Sequence, residues 1–277
     1  MKTTYGRRAL ERNNGKNMSL EGIQKVIEDK FEDWKASIKD THIHKLIADN
    51  TIITGGCIAS LLDGEPVNDF DVYMRTEEAA FLVAQYYCNT IPVPCYPEPG
   101  NNRITIILPS KKPIKKKKPK GGYNVAYISP LAITLTDKIQ ITVRFFGEPK
   151  EIHSNYDFVH CTGYWTSWNK ELKIHKNVID AVEKKKLIYV GSKYPVASLV
   201  RVKKFAQRGW RITANQMLKI AVQVSDLDLT DKEQLKEQLV GMYSKDLTKV
   251  VEDTKIDENG KVDRDSLFEA IDKHLKE

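Results

Sequence analysis

Asp69 and Asp71 stand one residue apart, with twelve residues between Gly56 of a Gly55–Gly56 pair and Asp69. In an extended segment successive side chains alternate faces, so the two carboxylates point the same way. Like charges held this close repel unless a cation lies between them. A hard divalent ion such as Mg²⁺ takes oxygen ligands and keeps phosphates as partners. Phe70 and Val72 point to the opposite face and can anchor the strand. A glycine turn that feeds a helix start lets backbone N–H groups approach a phosphate. The spacing therefore describes a phosphate seat facing a metal seat.

The elements that must position these residues are legible from periodicity. Leu20, Ile23, Ile27, Phe31, Trp34 and Ile38 recur at helical spacing over 19–39, and a shorter helix is expected over 41–48. "TIIT" (51–54) reads as a strand, "CIASLLDG" as a helix closed by Gly64, and "DFDVYM" (69–74) as a strand with one face buried. A helix over 76–89 starts at Thr76 with two acids in its first turn. Strands are expected at 103–108 and 123–128 with a long hairpin loop between them, then at 138–146 and 157–166, with edge pieces at 171–175 and 187–190. From Tyr194 onward the pattern is helical. The layout is α+β: a mixed-sheet domain with N-terminal helices over 1–192, then an all-α domain over 193–277.

Charge is unevenly spread. The run "KKPIKKKKPK" (111–120) holds seven lysines and no acid, and the rest of the chain balances at 37 basic and 37 acidic side chains. Residues 226–277 carry 15 acidic and 9 basic groups, so the front of the chain is basic. A basic front with a lysine-rich loop (Lys115, Lys116, Lys117 and Lys118 at its centre) suits a nucleic-acid partner. No stretch reads as a membrane span, and the N-terminus lacks the apolar segment of a secretory signal. Cys57, Cys88, Cys95 and Cys161 form no CxxC pair and read as reduced thiols in a cytoplasmic setting.

The segment "GGCIASLLDGEPVNDFDVY" resembles the signature of the DNA polymerase beta-like nucleotidyltransferase superfamily. It looks most like the branch of tRNA nucleotidyltransferases (CCA-adding) and poly(A) polymerases, and is also similar to nucleotidyltransferase-like proteins of phages. The resemblance implies a mixed-sheet nucleotidyltransferase domain and two Mg²⁺ ions, with Mn²⁺ as a substitute, held by Asp69 and Asp71. It also implies a third carboxylate on a later strand, for which Asp157 in "NYDFVHC" is the candidate and Asp137 the competitor. Gly55, Gly56 and Ser60 would contact the phosphates of an NTP substrate. The segment 199–212, "LVRVKKFAQRGWRI", is similar to the basic helix that follows the catalytic domain in CCA-adding enzymes. Arg201, Lys204 and Arg208 form one stripe there, a phosphate clamp for nucleotide or acceptor. Cys57 stands where many relatives have Ser, Ala59 and Ser60 stand where CCA-adding enzymes have Arg-Asp, and no Glu-Asp-x-x-Arg motif occurs. The resemblance thus implies the metal chemistry, not CCA addition in particular. The expected activity is transfer of NMP from an NTP to a hydroxyl, with an RNA or other nucleic-acid 3′ end as acceptor. The alternatives are nucleotidylation of a protein or small molecule, and an inactive fold that binds nucleic acid or a virion.

Other motifs carry less. "DENGKVDRDSLF" (257–268) lacks both essential acids of a calcium loop and reads as a turn before a helix capped by Asp263 or Asp265. His42 and His44 have no third metal ligand. His160 and Cys161 are expected on opposite faces of a strand, which argues against a nucleophile pair. Tyr164, Trp165 and Trp168 are candidates for stacking on a base.

Overall fold

The computed structural model describes residues 18–109, 114–115, 122–240 and 245–274. Lys116, Lys117 and Lys118 lie outside the described residues. The chain divides into two units, one of residues 1–154 and 160–184, the other of 155–159 and 185–277.

In the first unit the Ser19 hydroxyl accepts from the Gly22 N–H and starts α1 (Leu20–Ala36). Its Ile23, Ile27, Phe31 and Trp34 are buried, and the Trp34 Nε1–H donates to the Tyr87 hydroxyl at 2.7 Å. Asp40 caps α2 (Thr41–Asn50) by accepting from the N–H groups of His42 and Ile43, and the helix runs directly into β1 (Thr51–Thr54). Gly55 turns the chain into α3 (Gly56–Leu62), which returns it to β2 (Phe70–Met74) and then α4 (Glu77–Asn89), capped by Thr76.

The remaining strands are β3 (Tyr96–Gly100), β4 (Arg103–Ile107), β5 (Ile114–Lys115), β6 (Val125–Ile128), β7 (Ala132–Leu135), β8 (Ile139–Phe146), β9 (Tyr164–Thr166) and β10 (Glu171–Lys173). Six of these join β1 and β2 in one mixed sheet in the order β10-β9-β1-β2-β8-β7-β6-β5. Only the central β2–β8 pair is parallel. Along β7 and β8 residues alternate, Ile133, Leu135, Ile139, Ile141 and Val143 buried and Ala132, Thr134, Gln140 and Thr142 half-buried. One face therefore rests on the core and the other carries polar side chains. Two short helices, α5 (Pro149–His153) and α6 (Lys176–Glu183), complete the unit.

Three local differences from the sequence reading have physical causes. β4 pairs with β3 in a separate ribbon rather than across the lysine run, and the chain within that run makes β5 against β6. The segment Tyr96-Pro-Glu-Pro-Gly looks unsuited to a strand, but β3 has β4 as its sole partner, and an edge strand tolerates proline where no N–H is required. The strand expected over 157–166 is confined to Tyr164–Thr166, and Val159–Cys161 is a 3₁₀ turn. Residues 155–159 pair elsewhere: Val159 N–H donates to the Ile188 carbonyl, and Val190 N–H to that of Asp157. The unexpected β7 follows a tight turn at Ser129, whose hydroxyl accepts from the Ala132 N–H.

The second unit holds β11 (Lys186–Leu187) and β12 (Arg211–Ile212), paired in parallel. Its helices are α7 (Pro195–Gln207), α8 (Ala214–Ser225), α9 (Lys232–Val240), α10 (Lys245–Asp253) and α11 (Arg264–His274). Leu235, Leu239, Val250, Val262 and Leu267 make a small apolar core. The loop that invites a calcium reading is closed by Asp257, whose carboxylate accepts from the N–H groups of Asn259 and Lys261, and Asp263 caps α11 through the Ser266 N–H. Among the described residues no helix is long and apolar enough to cross a membrane.

Candidate functional site

Gly55 has φ of +92°, a conformation that favours glycine. A Cβ added there would lie 2.7 Å from Asp71 Oδ2. The turn is therefore bound to glycine twice over, by backbone conformation and by the closeness of the carboxylate. Gly56 is the opposite case: it is exposed, and a Cβ there would meet nothing within 4 Å. Its backbone is open to a ligand. The antiparallel register sets Thr54 beside Asp71 and Ile53 beside Val72. Phe70 and Val72 are fully buried while Asp69 and Asp71 are half-buried, so both acids face away from the core.

Cys57 lies under this pair. Burial pushes its thiol pKa well up, and the charges of Asp71 and then Asp69 push it further. Both carboxylates therefore act on one point at the start of α3. The thiol donates to the Thr54 carbonyl at 3.3 Å.

A further residue joins the acids that sequence reasoning missed. β8 runs parallel to β2 with Gln140 beside Asp71, and the Gln140 amide donates to Asp71 Oδ1 at 3.2 Å. The alternation of "KIQITV" marks Gln140 as outward-facing. Its neighbour could not be read, because the sequence does not state which strands pair. Continuing the registers, one row crosses the sheet: Lys173, Tyr164, Thr54, Asp71, Gln140, Thr134, Tyr127 and Lys115. Every member is polar. The Thr54 hydroxyl gives its one proton to the Gly163 carbonyl at 2.7 Å, so it accepts from His153 Nε2 at 2.8 Å. Burial, then the charge of His175, lowers the His153 pKa to about 4, so the ring is neutral at pH 7 with its proton on Nε2.

The other residues singled out in the sequence lie as follows. Ser60 is buried on α3. Asp157 belongs to the second unit and is buried. Its Oδ2 accepts from the Ser198 hydroxyl at 3.0 Å and pairs with Arg201 Nη1 at 2.7 Å. The expected third ligand and one expected clamp residue thus hold each other. Along the same α7, Lys204 is exposed, and the Arg208 guanidinium lies 5.6 Å from the centre of the Phe205 ring. Asp137 precedes β8 in a tight turn with φ of +59°. Of the aromatic trio, Trp165 is fully buried with its ring centre 5.0 Å from that of Phe31, which corrects its expected stacking role. Trp168 is covered by Arg75, and Tyr164 packs on His153.

Among the described residues no group of three or more His, Cys, Asp or Glu side chains is arranged to hold a metal ion. The acidic donor set at Gly55 is the pair Asp69 and Asp71, with the Gln140 amide beside it. Two half-exposed carboxylates on one face fit one hard cation whose remaining positions go to water and phosphate oxygens.

A family model described as "Gad2: Gabija anti-defense 2 family protein" matches residues 25–185. The chain belongs to the Gabija anti-defense 2 family. That match contains the glycine turn, the acid pair and Gln140. A curated protein named Gabija anti-defense 2, from Bacillus phage SPbetaL7, is 26% identical over 234 residues, covering 83% of this chain and 50% of the relative. Among solved structures, this family member is similar to the Thermotoga maritima CCA-adding enzyme complexed with tRNA, at 16% identity and TM-score 0.48, covering 84% of this chain and 48% of that one. A CCA-adding enzyme in complex with CTP gives 17% identity and TM-score 0.45, covering 78% and 46%. The Bacillus stearothermophilus CCA-adding enzyme with CTP gives 12% and 0.40, covering 81% and 52%. The chain spans about half the length of these relatives.

Proposed function

We propose that this chain is a metal-dependent nucleotidyltransferase that moves NMP from an NTP to a hydroxyl, with a nucleic-acid 3′ end, RNA before DNA, as the acceptor. The attacking hydroxyl oxygen forms a bond to the α-phosphorus, the bond to pyrophosphate breaks, and the hydroxyl proton is lost. The observation that carries this reading is the fit of Asp71 against Gly55, where even a methyl group would collide with the carboxylate. It brings the acid pair beside an exposed backbone at Gly56.

Asp69 and Asp71 would hold Mg²⁺ or Mn²⁺, which when bound neutralises triphosphate charge and stabilises the leaving oxygen. Gly56 leaves room for a phosphate to approach the main chain. Gln140 fixes the Asp71 side chain by donating to one of its oxygens, so the carboxylate is oriented before a ligand arrives. Positioning and charge neutralisation are what phosphoryl transfer asks of a protein. The relative's name supplies the setting: the transfer would be the act by which a phage protein opposes Gabija defence in the host cytoplasm.

The test incubates the protein with each α-labelled NTP, Mg²⁺ or Mn²⁺, and a mixture of RNA, DNA and host proteins. Label on RNA, lost in Asp71→Asn, supports the proposal. Label on protein replaces the acceptor. No label anywhere, with Asp71→Asn indistinguishable from wild type in every assay including anti-defence, refutes the chemistry.

A further inference from the structure

The second unit carries a charge arrangement that the site above does not use. Residues 185–225 hold nine basic side chains and no acid, while residues 226–277 carry 15 acidic and 9 basic groups. Asp157 enters this unit from a distant part of the chain, and its carboxylate goes to Arg201. The parallel β11–β12 register sets Lys186 directly beside Arg211, and both are exposed. Neighbouring strands lie about 4.8 Å apart, and like charges directly opposite are destabilising. The arrangement is held in place by main-chain bonds, with Arg211 N–H donating to the Lys185 carbonyl at 2.7 Å. Trp210, which precedes Arg211, is buried against Phe205 at a ring-centre separation of 5.6 Å. Lys204 and Arg208, one turn apart, end the adjoining helix α7 at the Gly209 turn that leads into β12. Among the described residues Lys186, Lys204 and Arg211 have no acidic partner within ion-pair distance. A solvated helix face would scatter such cations; here a strand pair aligns two of them and a buried tryptophan fixes the bend.

We propose that Lys186 and Arg211, with Lys204 and Arg208, form a phosphodiester-binding site that grips the backbone of a nucleic-acid strand independently of its sequence. An anion between the two strands turns the Lys186–Arg211 repulsion into attraction, and phosphates repeated along a strand suit cations repeated along a ribbon and a helix end. Arg211 and Arg208 can each bind a phosphate through two N–H groups. The site deepens the functional proposal by naming where the acceptor strand is held, and it rests on that reading only for the acceptor's class.

The experiment measures binding of a fluorescent single-stranded oligoribonucleotide by anisotropy across a salt series, without NTP and in the Asp71→Asn background. Catalysis then plays no part in the result. Each phosphate neutralised on a single strand contributes about −0.7 to the slope of log K against log salt. Lys186→Ala with Arg211→Ala should lower the magnitude of that slope by about 1.4 and weaken binding about tenfold at low salt. Lys186→Gln with Arg211→Gln, which retains side-chain bulk, should do the same with an unchanged thermal melt. Equal slopes for wild type and a folded double variant would overturn the site. So would a polyglutamate peptide that competes as well as RNA at equal charge, since it would show a general polyanion surface.

Discussion

At the scale of single residues the site is defined by contrasts between neighbours. Gly55 and Gly56 are adjacent in sequence, yet a methyl group at the first meets Asp71 and at the second meets nothing. Gly55→Ala should cost about 1–3 kcal/mol of stability, from a disfavoured φ and a displaced carboxylate. Gly56→Ala should stay within about 0.5 kcal/mol of wild type while weakening NTP binding, because its methyl fronts the open backbone. Urea unfolding with nucleotide titration separates the two effects. His153 gives a pH signature. Its folded pKa of about 4 lies below the ordinary 6.5, so between these values the unfolded chain binds a proton that the native state refuses. Stability therefore falls as pH drops from 6.5 towards 4, by up to about 3 kcal/mol before its partial exposure is discounted. His153→Asn should flatten this part of the stability profile, and an unaltered slope would contradict the assignment. The acid pair was legible because period-two alternation places Asp69 and Asp71 on one face whatever the partner strands are. Gln140 and the Asp157–Arg201 pair were not legible, since both depend on contacts between residues far apart in sequence.

At the scale of elements, periodicity located α1 to α4, β1, β2 and β8 within three residues at either end, because each buries one face of a regular pattern. It failed where neighbours decide: β3 is a strand despite two prolines because one of its edges is unpaired, and the run before β9 breaks because residues 155–159 bond within the other unit. Aromatic content could not say which ring faces the core. Trp165 does, and Trp165→Ala should cost about 3–5 kcal/mol, measured by denaturant unfolding, while Trp168→Ala, under an exposed Arg75–Glu148 pair, should cost about 1 kcal/mol or less. β5 lies within the lysine run, and its Lys115 ends the polar row from Asp71. Replacing Lys116, Lys117 and Lys118 with Gln should flatten the salt dependence of nucleic-acid binding while leaving NTP binding intact. Identical salt slopes would remove the run from the interface.

At the scale of the whole molecule, composition pointed to a polyanionic partner before any fold was known. The net charge of +7 conceals a basic front, a lysine-rich segment and an acidic end along the sequence. Membership of the Gabija anti-defense 2 family could not be read from charge or periodicity, which describe chemistry and not the biological setting. One physical claim joins the two: the acid pair, set against Gly55, would receive a metal-bound triphosphate. Calorimetric titration of NTP into the full chain tests this most directly. The account predicts one NTP bound per chain in Mg²⁺ or Mn²⁺, and that binding lost on chelation and in Asp69→Asn and Asp71→Asn variants that remain folded. NTP binding of equal strength in wild type, in both variants and without divalent cation would contradict it.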